Sequence, residues 1–438
     1  MSQVWPPSAQ RDASGALSIG GVDVRDAASE FGTPLFLLDE AAVRERARAY
    51  RHAASEVGAS SVYYAAKAFL ATAIARWVHE EGLGLDVATG GELAVALRAG
   101  IPGRDLVLHG NNKSMSEIET AIAAGVARIV VDSFEEIVRV ADAAARAGVV
   151  QPVLVRVTIG VKAHTHEFIA TAHEDQKFGF SVATGAAAEA IGRIVRLPSL
   201  EFRGVHSHIG SQIFDAAGFE EAATRIVAFI AALEREAGIT SRELDLGGGM
   251  GIAYLIDDDP LEIDVLAEQV AQAVAQECAV QGIAVPDLAF EPGRAIVGQA
   301  GVTVYEVGTV KQVQTDDGIR TYVAVDGGMS DNIRTALYDA EYTVELASRS
   351  SAAEPMLVRV VGKHCETGDI VVRDAWLPSD VVPGDLLAVA ATGAYCRSLA
   401  SNYNYVPRPA VVGVRDGRTS VVLRRETLED MMQLDPGA

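Results

Sequence analysis

Short apolar runs alternate with amphipathic, alanine-rich stretches between about residues 60 and 295, and this alternation restricts the chain to few folds. The apolar runs predict strands at 62–66, 83–87, 106–109, 128–132, 153–157, 203–207, 243–246 and 288–291. The stretches between them predict helices at 71–81, 91–99, 116–124, 133–147, 183–196, 218–237 and 260–281. Alternating strands and helices imply parallel pairing with right-handed crossovers. Eight such units predict a (β/α)8 barrel, and a doubly wound open sheet is the alternative.

The pattern changes after about residue 300, where strand-like segments follow one another with glycine-containing turns between them. They lie at 302–313, 320–326, 356–361, 369–376, 385–391, 410–415 and 419–424. This spacing predicts an all-β domain. Strand-like pieces at 17–22 and 34–38 are expected to pair with it. The predicted divisions are an N-terminal segment at 1–41, a barrel at 42–301 and a β domain at 302–438.

Composition excludes several classes of function. The 438 residues are 49% hydrophobic and 22% charged, as in ordinary globular proteins, and the formal net charge is −22. Such an acidic balance argues against nucleic-acid or membrane partners, which require a basic face. The cysteines, Cys278, Cys365 and Cys396, have no tight spacing, so we expect neither a disulfide framework nor a zinc site. A cytoplasmic protein without a signal peptide or membrane span is predicted.

Polar residues follow the predicted barrel strands, at the end where (β/α)8 barrels carry their active sites. The strand ends are occupied by Lys67, Asp86, His109, Arg156, His206, Asp245 and Glu291. Lys67 lies among small and aromatic residues, so we expect burial to lower its pKa and make its neutral amine available for a Schiff base. The alternative is a surface lysine that caps an edge strand.

Three further strand-end features suggest a bound cofactor. Gly247, Gly248 and Gly249 can bring backbone N–H groups to a phosphate, with Gly293 and Arg294 nearby; a plain turn is the alternative. Glu291 can hold a ring nitrogen protonated, or simply pair with Arg294. His208 is placed to stack on a flat ring, or to fill a structural role. His206 and His208 could form a metal pair, but no third ligand has an obvious spacing, so no metal is expected.

In the β domain, a thiol adjoins an imidazole and a carboxylate in His364-Cys365-Glu366. This is a plausible proton donor and recognition pair, and a buried inert cysteine is the alternative. The glycine-rich segments at 326–329 and 392–396 are interpreted as plain turns unless they meet the barrel rim.

In order along nearly the whole chain, the motifs around Lys67, His208, Gly247–Gly249, Glu291, Cys365 and Tyr395 closely resemble those of the fold-type III pyridoxal phosphate decarboxylases. The segment from His164 to Gly179 looks like the actinobacterial branch that acts on meso-diaminopimelate. The resemblance implies decarboxylation of meso-2,6-diaminopimelate to L-lysine and CO2, the final step of lysine biosynthesis.

The resemblance also implies residue roles. Lys67 carries the cofactor, His208 stacks on its ring and Glu291 pairs with its nitrogen. Cofactor binding is assigned to Lys67, Asp86, His208, Ser211, Gly248, Gly249, Glu291, Gly293, Arg294 and Tyr395. Substrate binding is assigned to Arg294, Arg334, Tyr338, Glu366 and Tyr395. Cys365 donates a proton and, with Glu366, reaches in from the partner of an obligate homodimer.

Three other functions are compatible with parts of the sequence. Another amino-acid decarboxylase would keep the cofactor, but Arg334, Tyr338 and the Cys365-Glu366 pair favour a substrate with an extra carboxylate. A racemase of the related barrel class would lack the His-Cys-Glu element. A non-catalytic regulator should have lost Lys67 or Cys365, and both are present.

Overall fold

The computed structural model describes residues 1–59, 61–160, 177–316 and 318–437. The resemblance noted for residues 164–176 therefore falls outside the described residues. The strands are β1 (Gln10–Arg11), β2 (Leu17–Ile19), β3 (Val22–Asp23), β4 (Leu35–Asp39), β5 (Ser61–Ala65), β6 (Gly84–Val87), β7 (Leu106–Leu108), β8 (Arg128–Val131), β9 (Gln151–Thr158), β10 (Phe180–Ser181), β11 (Leu200–His206), β12 (Glu243–Asp245), β13 (Asp287–Phe290), β14 (Gly301–Thr315), β15 (Gly318–Val325), β16 (Val344–Leu346), β17 (Pro355–Val361), β18 (Ile370–Pro378), β19 (Leu386–Val389), β20 (Ala410–Arg415) and β21 (Arg418–Leu423).

The α-helices are α1 (Val24–Phe31), α2 (Glu40–Glu56), α3 (Thr72–Glu80), α4 (Gly90–Arg98), α5 (Met115–Ala124), α6 (Phe134–Ala147), α7 (Ala186–Ile194), α8 (Ala217–Ala237), α9 (Ile263–Gln281), α10 (Arg294–Val297), α11 (Arg334–Tyr338) and α12 (Leu428–Met432). None of the helices in the described part of the chain is long and apolar enough to cross a membrane.

Contacts divide the chain into two compact units. The barrel unit comprises Glu45–Gly251 and Pro260–Ala295, and the β unit comprises Met1–Arg44, Ile252–Asp259 and Ile296–Ala438. These limits differ by a few residues from the predicted domain boundaries, and the 252–259 excursion was not anticipated.

Eight parallel strands of the described chain close the barrel. Their order is β5, β6, β7, β8, β9, β11, β12 and β13, and β13 pairs with β5 to complete the ring. The prediction of a (β/α)8 barrel is thus confirmed and the open sheet is wrong. Inside the barrel, Val107, Val130 and Leu154 form an apolar cluster with Tyr63 packed against it. β10 was not predicted; it pairs with the last two residues of β9, beyond those that pair with β11.

Helix ends in the barrel unit follow from local sequence. The Ser114 side chain accepts from the Glu117 N–H, while Glu117 accepts from the Ser114 backbone, so α5 begins with a capping box. Gly125 and Gly148 end α5 and α6 in the left-handed conformation that glycine adopts without steric cost. These stops set where each following strand begins, and so which residues reach the rim.

The β unit is organised around a mixed sheet in the order β18, β17, β15, β14, β4, β20 and β21. β4, from the start of the chain, pairs antiparallel with β14 and parallel with β20. Leu35 and Leu37 of β4 pack in one core cluster with Val302, Val304 and Val412. The expected pairing of segment 34–38 with the later strands is therefore observed.

One predicted strand pairing of the β domain is wrong. Segment 17–22 forms the hairpin β2–β3, which joins β1 in a separate three-stranded sheet instead of pairing with the later strands. Beside its strands, the β unit includes the short helices α1, α11 and α12. Asp23 caps α1 by accepting from the Arg25 N–H, a local signal that the strand pattern obscured.

Candidate active site

The predicted barrel residues lie at the C-terminal ends of its strands or on the loops that follow them. Lys67 follows β5, Asp86 lies near the end of β6, His208 and Ser211 follow β11, the glycines follow β12, and Glu291 follows β13. Barrel closure makes the first and last of these loops neighbours: the Ala65 N–H donates to the Pro292 carbonyl over 3.0 Å.

The environment of Lys67 differs from the expectation. Lys67 lies in a single 3₁₀ turn, Ala66–Ala68, whose two alanines are buried, but its own side chain is exposed. The desolvation inferred from its neighbours is therefore not provided by them.

Glu291 is the centre of a buried cluster that the sequence did not reveal. Its Oε2 accepts a hydrogen bond from Nε2 of His206 over 3.1 Å. Its Oε1 lies 2.7 Å from Nε2 of His109, although the angles are not those of a hydrogen bond. The two imidazoles meet edge to face, with 4.8 Å between ring centroids.

Three buried carboxyl groups at this rim, those of Asp86, Asp245 and Glu291, differ in the direction of their pKa shifts. Burial is the main cause that raises the pKa of Asp86 to about 6, and burial followed by the charge of Glu291 raises the pKa of Asp245 well above its usual range. Burial acts on Glu291 in the same direction, but His109 and His206 outweigh it and lower the pKa of Glu291 well below the usual value. The cluster therefore concentrates negative charge on Glu291.

His208 is held as a neutral ring. Burial, followed by the charges of Lys67 and Arg156, lowers its pKa well below the ordinary value for histidine. Its Nδ1 accepts a hydrogen bond from the Gly248 N–H over 3.3 Å. A neutral, half-buried imidazole with one nitrogen anchored can present its face to a flat ligand.

The glycine loop is needed for close packing as well as for any phosphate. A Cβ at Gly248 would lie 2.1 Å from the Glu291 carbonyl oxygen, and one at Gly249 would lie 2.4 Å from the Gly210 carbonyl oxygen. At Gly293 a Cβ would touch Ala65 and Ala68, on either side of Lys67, at 3.0–3.1 Å. Arg294 donates to the Ser211 hydroxyl over 3.0 Å. The loops after β11, β12 and β13 are thus tied together by their backbones.

The possible metal pair of His206 and His208 does not match the donors that converge in the structure. Among the described residues, the donors that converge are His109, His206 and Glu291, whose ligand atoms lie within 4.8 Å of one another. His208 is not part of this group. The third donor, His109, follows β7, the third strand of the barrel. The spacing of residues in the sequence could not connect that position to His206.

In the β unit, Arg334 is a buried cation in an aromatic setting. Its Nη1 donates to the Tyr342 hydroxyl, and its guanidinium lies 4.9 Å from the ring centroid of Tyr254. No carboxylate in residues 1–59, 61–160, 177–316 or 318–437 forms an ion pair with it, and its Nε has no hydrogen-bond partner there. Burying an unpaired charge is costly, and an anion that paired with this guanidinium would offset that cost.

The turn between β17 and β18 presents Cys365 and Glu366 to solvent, so the alternative of a buried inert cysteine is wrong. Asp369 fixes this turn by accepting from the N–H groups of His364, over 2.7 Å, and Met329, over 2.6 Å. Glu366 accepts from the Tyr403 hydroxyl over 2.5 Å. The structure thus holds the thiol and the carboxylate at the tip of a rigid turn.

Two other predicted residues of the β unit are placed as follows. Tyr338 ends α11 and is half-buried. Tyr395 lies in the loop after β19 with a φ of 61°, a left-handed conformation that is uncommon for a bulky residue and is often found at functional sites.

Sequence reasoning missed the partners that hold the predicted residues. His109, His206 and Asp245 were visible as strand ends, and that position was the only available signal. Tyr254 and Tyr342 had no signal, because the 252–259 excursion that carries Tyr254 was assigned to the barrel.

Comparison with known proteins identifies similar chains along the full length. A family model described as pyridoxal-dependent decarboxylase, pyridoxal binding domain, matches residues 40–298. The diaminopimelate decarboxylase of Mycobacterium tuberculosis is 55% identical over 437 residues, covering 99% of this chain and 97% of that protein. The Bacillus subtilis protein of the same name is 45% identical, covering 98% and 97%. The crystal structure of diaminopimelate decarboxylase from M. jannaschii in complex with L-lysine has a TM-score of 0.91, 32% identity and 98% coverage of both chains.

Proposed function

This chain belongs to the diaminopimelate decarboxylases, a family of pyridoxal-dependent enzymes, and we propose that it converts meso-2,6-diaminopimelate to L-lysine and CO2. The observation that carries the choice of substrate is Arg334, a buried guanidinium without a carboxylate partner among the described residues. A substrate that keeps a second carboxylate supplies that partner, whereas lysine or ornithine would not. The reaction is the last step of lysine biosynthesis, and we place it in the cytoplasm, consistent with three free cysteines.

The residues at the barrel rim fit pyridoxal phosphate. Glu291 has one buried oxygen, Oε1, that receives no hydrogen bond from any described residue, as a partner for a ring N–H requires. The glycine at 293 leaves room beside Lys67 that a Cβ would take. In this assignment Lys67 links to the cofactor, His208 covers its ring and Glu291 holds its nitrogen. The remaining contacts are assigned to Asp86, Ser211, Gly248, Gly249, Gly293, Arg294 and Tyr395.

When bound, pyridoxal phosphate supplies an electron sink for the carbanion that remains after CO2 departs. Glu291 supports this chemistry by keeping a proton on the ring nitrogen, which an ionised carboxylate does and a neutral group would not. His208 remains neutral and therefore stacks without adding positive charge to the ring. Burial is the main cause of that neutrality, and the charge of Arg156 adds to it.

We assign the two ends of the substrate to different groups. Arg294, Arg334, Tyr338 and Tyr395 bind carboxylates, and bidentate pairing with guanidinium gives this recognition its geometry. Glu366 binds the distal ammonium. Cys365 then donates the proton that completes the product, since a thiol is an acid of suitable strength.

The substrate assignment is tested by measuring CO2 release from a panel of amino acids by the purified holoenzyme. The panel contains meso-diaminopimelate, its LL isomer, ornithine, lysine and arginine. We expect release from meso-diaminopimelate to exceed the others by orders of magnitude in kcat/KM. Preferential release from ornithine, arginine or lysine would refute the proposal and support the alternative decarboxylase.

We further propose that the active sites are shared between the subunits of a homodimer. The support is that Cys365 and Glu366 are exposed at the tip of a fixed turn, where they can reach a second molecule. Lys67→Ala and Cys365→Ala subunits should each be inactive alone. Mixed and re-associated, they should recover up to about a quarter of the wild-type activity, because one site in a random heterodimer is intact. Absence of recovery from well-formed heterodimers would exclude shared sites.

A further inference from the structure

Two buried histidines beside Glu291 have no part in the assignments above. His206 contacts Oε2 and His109 lies next to Oε1, so each carboxylate oxygen faces one imidazole. The side chains of His206, His109 and Glu291 are 1%, 7% and 5% exposed. A carboxylate as buried as that of Glu291 has little contact with bulk water, so its charge depends on the groups around it.

The groups around Glu291 act differently on it and on the two buried aspartates beside it. Asp86, Asp245, Lys67 and Arg156 also act on the cluster, and both aspartates are shifted toward the protonated form. Asp86 faces one imidazole, with 3.7 Å between its Oδ1 and the His109 Nε2, whereas Glu291 faces an imidazole with each of its two oxygens. The two histidines together therefore favour Glu291 as the anion among the three buried carboxyl groups.

We propose that His206 and His109 are positioning residues that hold Glu291 as an oriented carboxylate, with Oε2 bound to His206 and Oε1 presented to a protonated ring nitrogen. The proposal rests on the proposed function, because the ring nitrogen belongs to the bound cofactor. His206 acts through a hydrogen bond that fixes the plane of the carboxylate. His109 acts through its position 2.7 Å from Oε1 and through its contact with the His206 ring.

A metal centre is the competing interpretation of the same residues. Ligand atoms around a tetrahedral zinc ion lie roughly 3.3 Å apart, given bond lengths of about 2.0 Å. Here the His109 Nε2 and Glu291 Oε1 atoms are 2.7 Å apart, in direct contact. This distance is too short for two ligand atoms of one zinc ion, so the geometry does not favour a metal centre.

The test compares two cofactors that differ only at the ring nitrogen. Holoenzyme is stripped of its cofactor, and dissociation constants are measured for pyridoxal phosphate and for the analogue in which CH replaces the ring nitrogen. Wild-type protein should bind pyridoxal phosphate more tightly, and the ratio of the two constants isolates the contact with Glu291. His206→Leu should reduce that ratio by about tenfold, as expected for one hydrogen bond to a charged group.

Further variants separate positioning from packing. His109→Leu should also reduce the ratio, and His206→Gln, whose amide can donate to Oε2, should restore most of it. His79→Leu is the matched control: it removes a histidine 3.0 Å from Asp105, in the same unit but outside this cluster, and should leave the ratio unchanged. If His206→Leu does not fold, the His109→Leu and His206→Gln ratios decide.

Several results would overturn the inference. Equal weakening of both cofactors in the histidine variants would mean that the imidazoles only pack. One equivalent of metal retained by wild-type protein and lost in His206→Leu would establish a metal centre instead. Equal binding of both cofactors by wild-type protein would refute the inference but not the proposed function. Failure of wild-type protein to bind pyridoxal phosphate at all would refute the proposed function.

Discussion

At the scale of single residues, two buried cations have opposite surroundings. Lys113 is buried in the barrel unit and satisfied: its Nζ contacts Glu136 Oε1 at 2.9 Å and donates to the Gly110 and Val130 carbonyls. Arg334 is buried in the β unit beside tyrosines and has no such acid. The first arrangement stabilises the fold, and the second is one that an anionic ligand would complete.

Replacing these cations should therefore have different effects. Arg334→Met should raise the KM for meso-diaminopimelate by roughly 100-fold, the loss of a charge-assisted pair, while thermal stability stays equal or rises. Lys113→Met, the matched control, leaves Glu136 buried without its cationic partner and should destabilise the protein by about 3–5 kcal/mol. Steady-state kinetics and calorimetry measure both. A large loss of stability in Arg334→Met would show that the arginine is structural.

Asp331 predicts a pH dependence of stability. Burial, opposed by hydrogen bonds from Tyr305 and Gly328, raises the pKa of Asp331 to about 7. Because its pKa is higher in the folded than in the unfolded state, its contribution to stability is complete below pH 4 and is lost as the pH rises through 7. Between pH 6 and 8, wild-type protein should lose about 1–2 kcal/mol more than Asp331→Asn, which cannot ionise. Parallel stability curves in denaturant titrations would contradict this.

At the scale of elements, the loops after β11, β12 and β13 form one packed layer. The Ile213 N–H donates to the Gly249 carbonyl over 3.0 Å, and the Glu291 N–H donates to the Gly247 carbonyl over 2.7 Å. The approach of Gly248 to Glu291 leaves no space for a side chain. Backbone contacts between the loops thus set the position of the Glu291 carboxylate.

Gly248→Ala should displace that layer. The added Cβ would lie 2.1 Å from a backbone oxygen that cannot rotate away, so the loop has to move. We expect cofactor affinity to fall at least about tenfold and the melting temperature to drop by several degrees. Gly192→Ala, in α7 with only Arg196 nearby, should be neutral or slightly stabilising. Equal affinity of both variants for pyridoxal phosphate would show that the loop tolerates the shift.

At the scale of the whole molecule, the β unit is assembled from distant parts of the chain. β4 lies between β14 and β20, so residues 35–39 supply an inner strand to a sheet whose other members follow residue 300. An inner strand has hydrogen-bonded neighbours on both sides. Its loss would expose two sheet edges and part of the core.

Deletion of residues 1–39 should therefore abolish folding of the β unit instead of merely shortening the chain. We expect the truncated protein to be insoluble or to lack cooperative unfolding, because Leu35 and Leu37 leave the core along with the strand. Deletion of residues 435–438, beyond α12, is the control and should leave solubility and melting temperature unchanged. A soluble, cooperatively folded 40–438 fragment would contradict the argument.

Much of this organisation could be predicted from the sequence because it is local. Apolar periodicity located every barrel strand, and the position after each strand placed Lys67 and Glu291 at the rim. The pairing of Glu291 with His109 and His206 could not be predicted, because barrel closure joins residues that are 85 or more positions apart. The exposure of Lys67 depends on a 3₁₀ turn of Ala66–Ala68, for which neighbouring residue types contain no signal.

Closure of the barrel between its first and last strands has a consequence for the synthesis of the protein. Lys67 follows β5, whereas Glu291 follows β13, and the two loops are joined by the bond from Ala65 to Pro292. On the ribosome, a growing chain therefore has the proposed attachment point for its cofactor long before it has the proposed partner of the ring nitrogen. Stable capture of pyridoxal phosphate accordingly waits until residues beyond 291 have emerged, which makes cofactor retention a marker of completed barrel synthesis.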